Sequence, residues 1–342
     1  MVDLHQHAHS LNLRTVIWNR REYPGSTRYS DEEIEGQVNG RTTFLKGLGV
    51  LVKDFLMKFI VQENIPKSNG KTGGVVILGW SMGCMTAMSV FYPDTGVFDG
   101  DEEGLKTLES YVKDLVLYDP PHVAFGYPTP QGDKFYIPLT DPAYQGKTAE
   151  EKYKIFAHWA AGYYDHDLKM GVPGGLDLHG SSDRSSLDNW PEADWTKYFS
   201  IPAAIRSEKM FSPAMQKTLR KASERLLFDS PDDATKDRFP KVRITYISCA
   251  KSPWTCLWAA YETRRMFKVF LNKGRSPKRW INFTVIEDGN HFVHLDSPQN
   301  FLATLKASIV APDSDALNAV SVSTAWVYAR SEFYLRALKG KL

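Results

Sequence analysis

GVVILGWSMG, residues 74–83, decides how the chain is read. The β-favouring run Val75–Leu78 leads into a serine framed by Gly79 and Gly83, and the following MGCMTAMSVF is small and methionine-rich, which suits a helix better than a strand. Ser81 therefore stands at a strand-to-helix corner. A serine hydroxyl is a weak nucleophile until a base takes its proton, and it must be presented clear of its own backbone. The G-x-S-x-G pattern supplies that presentation: glycines at 79 and 83 leave room for a tight turn, Ser81 projects upward, and the N–H of Met82 points towards a developing oxyanion. The plain alternative is a structural loop serine.

Outward from this corner, KDLVLYDPP (113–121), KVRITYISCA (241–250) and INFTVIEDGNH (281–291) read as further strands, and LRTVIWNR (13–20) as an earlier one ending at the Pro24-Gly25 turn. Ser30 with Glu33 has capping-box spacing. Phe44, Leu48, Leu51, Phe55 and Phe59 form one apolar stripe, so a helix precedes the serine strand. A second helical stretch, containing Trp258, Tyr261, Met266, Phe267 and Phe270, lies between the last two strands. Strands alternating with helices predict an α/β fold with a mostly parallel sheet covered on both faces. The interval 122–240 interrupts that alternation. It is rich in Pro, Gly, Asp, Trp and Tyr, has helical patches near 149–164 and 208–227, and reads as an inserted lid. The core is then 1–121 plus 241–311, closed by a helix on SPQNFLATLKASIV, and 312–342 is a helical tail bearing Trp326, Tyr328, Phe333, Tyr334 and Leu338.

The bulk numbers set the class. A chain of 342 residues, 42% hydrophobic, can bury a large core. Forty-two Lys and Arg against 40 Asp and Glu, scattered along the chain, indicate neither a nucleic-acid stripe nor an anionic-lipid patch, and a small-molecule partner fits better. Three cysteines, Cys84, Cys249 and Cys256, are too few for a disulfide framework and match no zinc spacing. With no long apolar run and no apolar signal core at the amino terminus, a soluble cytoplasmic protein is expected.

The base should follow the last strand. EDGNHFVHLDSP offers His291, directly after the Gly289-Asn290 turn, and His294, which a capping or core role suits better. His5, His7 and His9 alternate in an amino-terminal segment where solvent exposure is expected; His122, His158, His166 and His179 lie in the interval 122–240. A carboxylate must orient the imidazole. The loop after KVRITYISCA, its usual position, has no Asp or Glu before Glu262. Asp119, at the carboxyl end of KDLVLYDPP where parallel sheets bind ligands, is the choice, with Glu262 second, Asp288 third, and a plain turn residue before Pro120 as the alternative. Phe125, Tyr127, Trp159, Tyr163 and Tyr164 either line an apolar pocket or form the lid's own core.

Ser81, Asp119 and His291 in this order, with an insertion between the strands after Asp119, resemble the α/β-hydrolase fold from about residue 10 to residue 310. WNRREYPGST, LGWSMG, LYDPP and GNHFVHLDSPQNF look like a group of fungal α/β-hydrolase-1 proteins. The resemblance implies hydrolysis of an ester, thioester or lactone without metal or organic cofactor. A Ser in place of an Asp nucleophile disfavours epoxide hydrolysis and dehalogenation. Some fungal lactone hydrolases of this fold also carry their acid after the strand next to the nucleophile strand, which supports Asp119. Family members have, upstream of the WNRR strand, a further strand ending in a His-Gly loop that completes the oxyanion hole. MVDLHQHAHSLN looks like the end of the helix that follows that loop, so the chain is expected to be truncated there. Three readings of the shortfall stay open: a shortened gene product, a WNRR strand displaced to pair with GVVIL, and a substitute donor from the amino terminus. An inactive ligand-binding relative is the rival of the active hydrolase.

Overall fold

Four of the expected segments are strands: β1 (Val75–Trp80), β2 (Val112–Tyr118), β3 (Arg243–Cys249) and β4 (Ile281–Ile286). The computed structural model describes residues 4–131, 135–168, 174–180, 182–228, 238–273 and 279–309. In it the strands form one parallel sheet in the order β1-β2-β3-β4. Successive side chains point to opposite faces, which sorts the apolar runs into two cores. Leu115, Leu117, Ile244 and Tyr246 face the helices Thr42–Gln62, Pro213–Phe228 and Trp254–Asn272, packing with Leu45, Leu219 and Phe267. Val116, Tyr118, Ile247 and Cys249 face the other way, onto Leu4 and Ala8 of the helix Leu4–Ala8 and Phe301 and Leu302 of the helix Pro298–Ile309. Burial on both faces is why these strands read as continuous apolar runs rather than as alternating ones.

The capping box forms as its spacing predicts, with the Glu33 N–H donating to Ser30 Oγ (3.1 Å) and the Ser30 N–H to Glu33 Oε2 (2.8 Å). One expected strand is absent. LRTVIWNR is irregular throughout, and Val16, Ile17 and Trp18 are exposed. Leu13 still packs against the core on one face of the sheet, but the segment then runs to the helix Thr42–Gln62 without joining the ladder: the Trp18 ring meets Phe55 edge-on at 4.8 Å, and Arg14 pairs with Glu63. These contacts give the stretch aromatic and charged neighbours at the helix in place of a ladder partner, and among the described residues β1 ends the sheet.

Among the described residues of 122–240 there is no strand, only an isolated antiparallel bridge from Gly162 to Ser185. The expected helical patches are Ala149–Ala160, shorter than predicted because the chain turns at Ala161-Gly162, and Pro213–Phe228. Met215, Leu219, Leu226 and Leu227 of the latter enter the main core, as do Phe125 and Tyr127. The predicted tail helix lies outside the described residues. No described helix is long and apolar enough to cross a membrane.

His122 follows the β2 turn, is 3% exposed, stacks on Trp254 at 5.3 Å between centroids, and leaves Nδ1 without a hydrogen bond. Desolvation pushes its pKa down to about 4. The folded state therefore keeps it neutral while the unfolded chain, with an ordinary value near 6.5, takes up a proton, so its contribution to stability is complete above pH ~6.5 and declines as pH falls to about 4. The loss over that window is roughly 3 kcal/mol. Denaturant unfolding at pH 7 and pH 4.5 should show a smaller acid loss in His122→Gln than in the wild type; equal losses would refute the assignment.

Candidate active site

The strand ends bring the predicted residues to one edge of the sheet. Trp80 is in register with Tyr118, and the Ser81 N–H continues the ladder by donating to the Tyr118 carbonyl at 3.0 Å. Ser81 then adopts φ +54°, a left-handed conformation that a residue with a Cβ takes only when its surroundings enforce it, and the helix Gly83–Ser89 begins. Gly79 is one enforcer: a Cβ there would lie 2.7 Å from Cys84 N and 2.8 Å from the Gly83 carbonyl oxygen. Gly83 is not. A Cβ at Gly83 meets nothing within 4 Å, so of the two flanking glycines only Gly79 is sterically required by the turn.

Asp119 repeats the device one strand over, with φ +47° and its N–H donating to the Ile247 carbonyl at 2.7 Å. Its carboxylate is 1% exposed residue-wise and accepts three hydrogen bonds: from the Cys249 N–H to Oδ1 (3.0 Å), and from Ser252 Oγ (2.6 Å) and His291 Nδ1 (2.7 Å) to Oδ2. The last residue of β3 thus contributes the amide, and the loop after it, empty of carboxylates in the sequence, the hydroxyl; together they hold a carboxylate from the turn after β2. Glu262 points elsewhere, paired with Arg265 Nε at 2.6 Å, and Asp288 is exposed.

His291 is anchored through its backbone. Trp80 Nε1 donates to its carbonyl at 2.9 Å, with the Tyr118 hydroxyl further off at 3.4 Å. Asn290, fully buried, fixes the preceding turn by donating to the Ala161 carbonyl (2.7 Å) and Ser186 Oγ (2.8 Å) and accepting from the Phe292 N–H (3.0 Å). His294, the second residue of the helix Val293–Asp296, has a core role. Its Nδ1 sits 3.0 Å from the Tyr118 hydroxyl, its ring 4.5 Å from Trp80, and burial pushes its pKa well down. Asp119 and His291 are in direct contact. Ser81 is on the same edge, one residue after a Trp80 ring that lies 5.1 Å from the His291 ring, but no hydrogen bond joins its Oγ to the imidazole among the described residues.

Met82 is half-buried and lines a slot of about 10 Å³, room for roughly one water, together with Arg20, Gln37, Met85 and Thr86. Of the five aromatics in the interval, Phe125 and Tyr127 are stacked within the main core, Tyr164 is buried with its hydroxyl on the Trp159 carbonyl (2.7 Å), and Tyr163 bonds Asp296. Packing accounts for Phe125, Tyr127 and Tyr164. Sequence reasoning did not single out Ser252, Asn290, Trp80 or Cys256. Asn290 within the quoted turn was the one visible signal; the rest depend on contacts across strands.

The chain belongs to the Alpha/beta hydrolase family, whose sequence profile matches residues 8–304. No curated protein matches it. Among solved structures it is similar to a Burkholderia cenocepacia protein proposed to be an aryl esterase (12% identity, 84% of this chain and 76% of that one, TM-score 0.37). A marine microorganism esterase is also similar (14%, 85% and 82%, TM-score 0.33), as is tomato methylketone synthase I complexed with 2-tridecanone (12%, 89% and 90%, TM-score 0.34).

The steric contrast at the turn is directly measurable. Gly79→Ala should destabilise the fold by about 1–3 kcal/mol through overpacking against Cys84, whereas Gly83→Ala at a helix start should change stability by less than ~0.5 kcal/mol. Thermal unfolding of the two variants, compared with the wild type, checks both; equal effects would mean that the turn is not set by Gly79.

Proposed function

We propose that the protein is a serine hydrolase that cleaves a carboxylic ester, thioester or lactone of a small apolar molecule through an acyl-enzyme. Ser81 Oγ attacks the carbonyl carbon while His291 Nε2 takes its proton. The Nδ1–H of His291 is held by Asp119 Oδ2, which fixes the tautomer that leaves the Nε2 lone pair free and stabilises the imidazolium that forms. The Met82 N–H donates to the oxyanion. His291 returns the proton to the leaving oxygen or sulfur, and a water activated by the same imidazole releases the acid and regenerates Ser81. Within the interval 122–240, the helix Ala149–Ala160 with Leu187 and Trp195, packed against Phe292 and Leu295, serves as the lid, while Pro213–Phe228 belongs to the main core. The observation that supports this reading most is the 2.7 Å contact between Asp119 and His291 on the edge that also bears Ser81 at positive φ.

A second reading is an inactive, ligand-binding relative. Its support is the position of β1: among the described residues no strand lies beyond it to end in a second oxyanion-donor loop, and one such donor is worth about 10²–10³ in rate. A fluorophosphonate probe separates the two. The hydrolase reading expects covalent labelling that disappears in Ser81→Ala; a folded wild type that stays unlabelled supports the binding reading, and labelling that survives in the variant removes Ser81 from its role. With an activated ester as substrate, Asp119→Asn should lower kcat by about 10⁴-fold while Glu262→Gln changes it by less than about twofold. The reverse order would transfer the orienting role to Glu262.

A further inference from the structure

Cys256, in the first turn of the helix Trp254–Asn272, lies with its Sγ 3.6 Å from His291 Nδ1, the nitrogen that faces Asp119. The thiol is 3% exposed. The ligand atoms of Asp119, Cys256 and His291 all lie within 4.8 Å of one another, and among the described residues this is the one group of three such side chains. We propose that these three side chains form a latent site for a thiophilic divalent cation, Zn²⁺ first, and that its occupation stops His291 from acting as a base.

The donor set is one that zinc and its soft congeners prefer: one thiolate, one imidazole and one carboxylate, with a water as fourth ligand. Tetrahedral bonds of about 2.0–2.3 Å place neighbouring donors roughly 3.4–3.6 Å apart. The Sγ to Nδ1 separation already meets this, and the Nδ1 to Oδ2 hydrogen bond must open by about 0.7 Å. A +2 ion with a thiolate and a carboxylate is neutral overall, which removes the penalty of a net charge in a buried site. Ser252 Oγ and the Cys249 N–H already orient the carboxylate, as outer partners of metal ligands do.

The protons balance simply. The thiol releases its proton to solvent, and the imidazole proton moves from Nδ1 to Nε2 as the ion takes Nδ1. Nε2 then carries a hydrogen and has no lone pair to receive the proton of Ser81. The site is inhibitory by chemistry, not by blockage.

Binding depends only on the three side chains, while the loss of turnover rests on the hydrolase reading above. The metal-stripped, reduced full chain is titrated with Cd²⁺, which reports thiolate ligation by its ligand-to-metal absorption, and Zn²⁺ is used in parallel against an activated aryl ester. The wild type should develop the Cd²⁺ band at one equivalent. Cys256→Ser and Cys256→Ala, each verified as folded by circular dichroism, should lose it. The Zn²⁺ concentration that halves turnover, measured against each protein's own metal-free rate, should rise at least tenfold in those variants. A folded wild type without the band, or a band undiminished in both variants, overturns the site. Band formation in a chain with no esterase turnover retains the site and rejects only the hydrolase reading; inhibition unshifted by either variant rejects the inhibitory role.

Discussion

The hydrogen bond between His291 and Asp119 joins residues that follow β4 and β2, and β3 lies between those strands. Adjacent strands are about 4.8 Å apart, so the loop after β4 and the two side chains together must bridge roughly 10 Å across the top of the sheet. This single requirement shapes everything around it. The turn after β4 has to lean inward, which the buried Asn290 enforces by tying it to the Ala161 carbonyl and Ser186. The loop after β3 has to stay low, and it does so as Ala250-Lys251-Ser252, with the Ala250 and Lys251 N–H groups bonded to the Ile286 and Gly289 carbonyls. Asp119 has to turn towards β3, and it takes a left-handed conformation to do it.

Two left-handed residues on neighbouring strand ends store on the order of 1–3 kcal/mol each. Both are held by ladder bonds that extend the strands by one residue, Ser81 to Tyr118 and Asp119 to Ile247. The apolar alternation beneath fixes the register of those strands, because a one-residue slip would exchange the Leu115 and Leu117 face with that of Val116 and Tyr118. Core packing and site geometry are therefore one constraint. Tyr118 makes the link explicit: its ring packs on Phe301 at 4.4 Å, its carbonyl holds Ser81, and its hydroxyl reaches His294.

The features legible in the sequence are those with local causes. The four runs form strands as their composition predicts, β2 and β3 because both of their faces are buried, and the choice of His291 rests on the Gly289-Asn290 turn that follows the last strand. The choice of Asp119 rests on an absence, the lack of a carboxylate in the loop after KVRITYISCA; that Ser252 in this loop donates to the Asp119 carboxylate is a contact across strands with no signal in the sequence. The turn makes no steric use of Gly83, and a pattern of two glycines cannot reveal which one faces a neighbour. LRTVIWNR misled for a related reason. β-branched composition states what a segment would do beside a ladder partner, and tertiary anchoring to Phe55 and Glu63 settles whether it meets one.

That same anchoring bears on how the serine turn stays rigid at the end of a sheet. Among the described residues β1 has a ladder neighbour on one side only, and Val75–Leu78 are half-buried where the matching stretch of β2 is almost wholly buried. A strand so placed gains its definition from what packs on its faces. On one side the helix Gly83–Ser89 is clasped by the helix Thr42–Gln62 at a crossing so close that a Cβ on Gly49 would lie 2.7 Å from the Ser89 carbonyl oxygen. On the other, the Trp80 indole is enclosed by His291, Phe292 and His294 and spends its N–H on the His291 backbone. The strand β1 and the loop bearing His291 therefore hold each other through Trp80, a residue inside the G-W-S-M-G signature whose identity the signature leaves free. The serine's position is set as much by this cross-sheet clasp as by the turn that bears it.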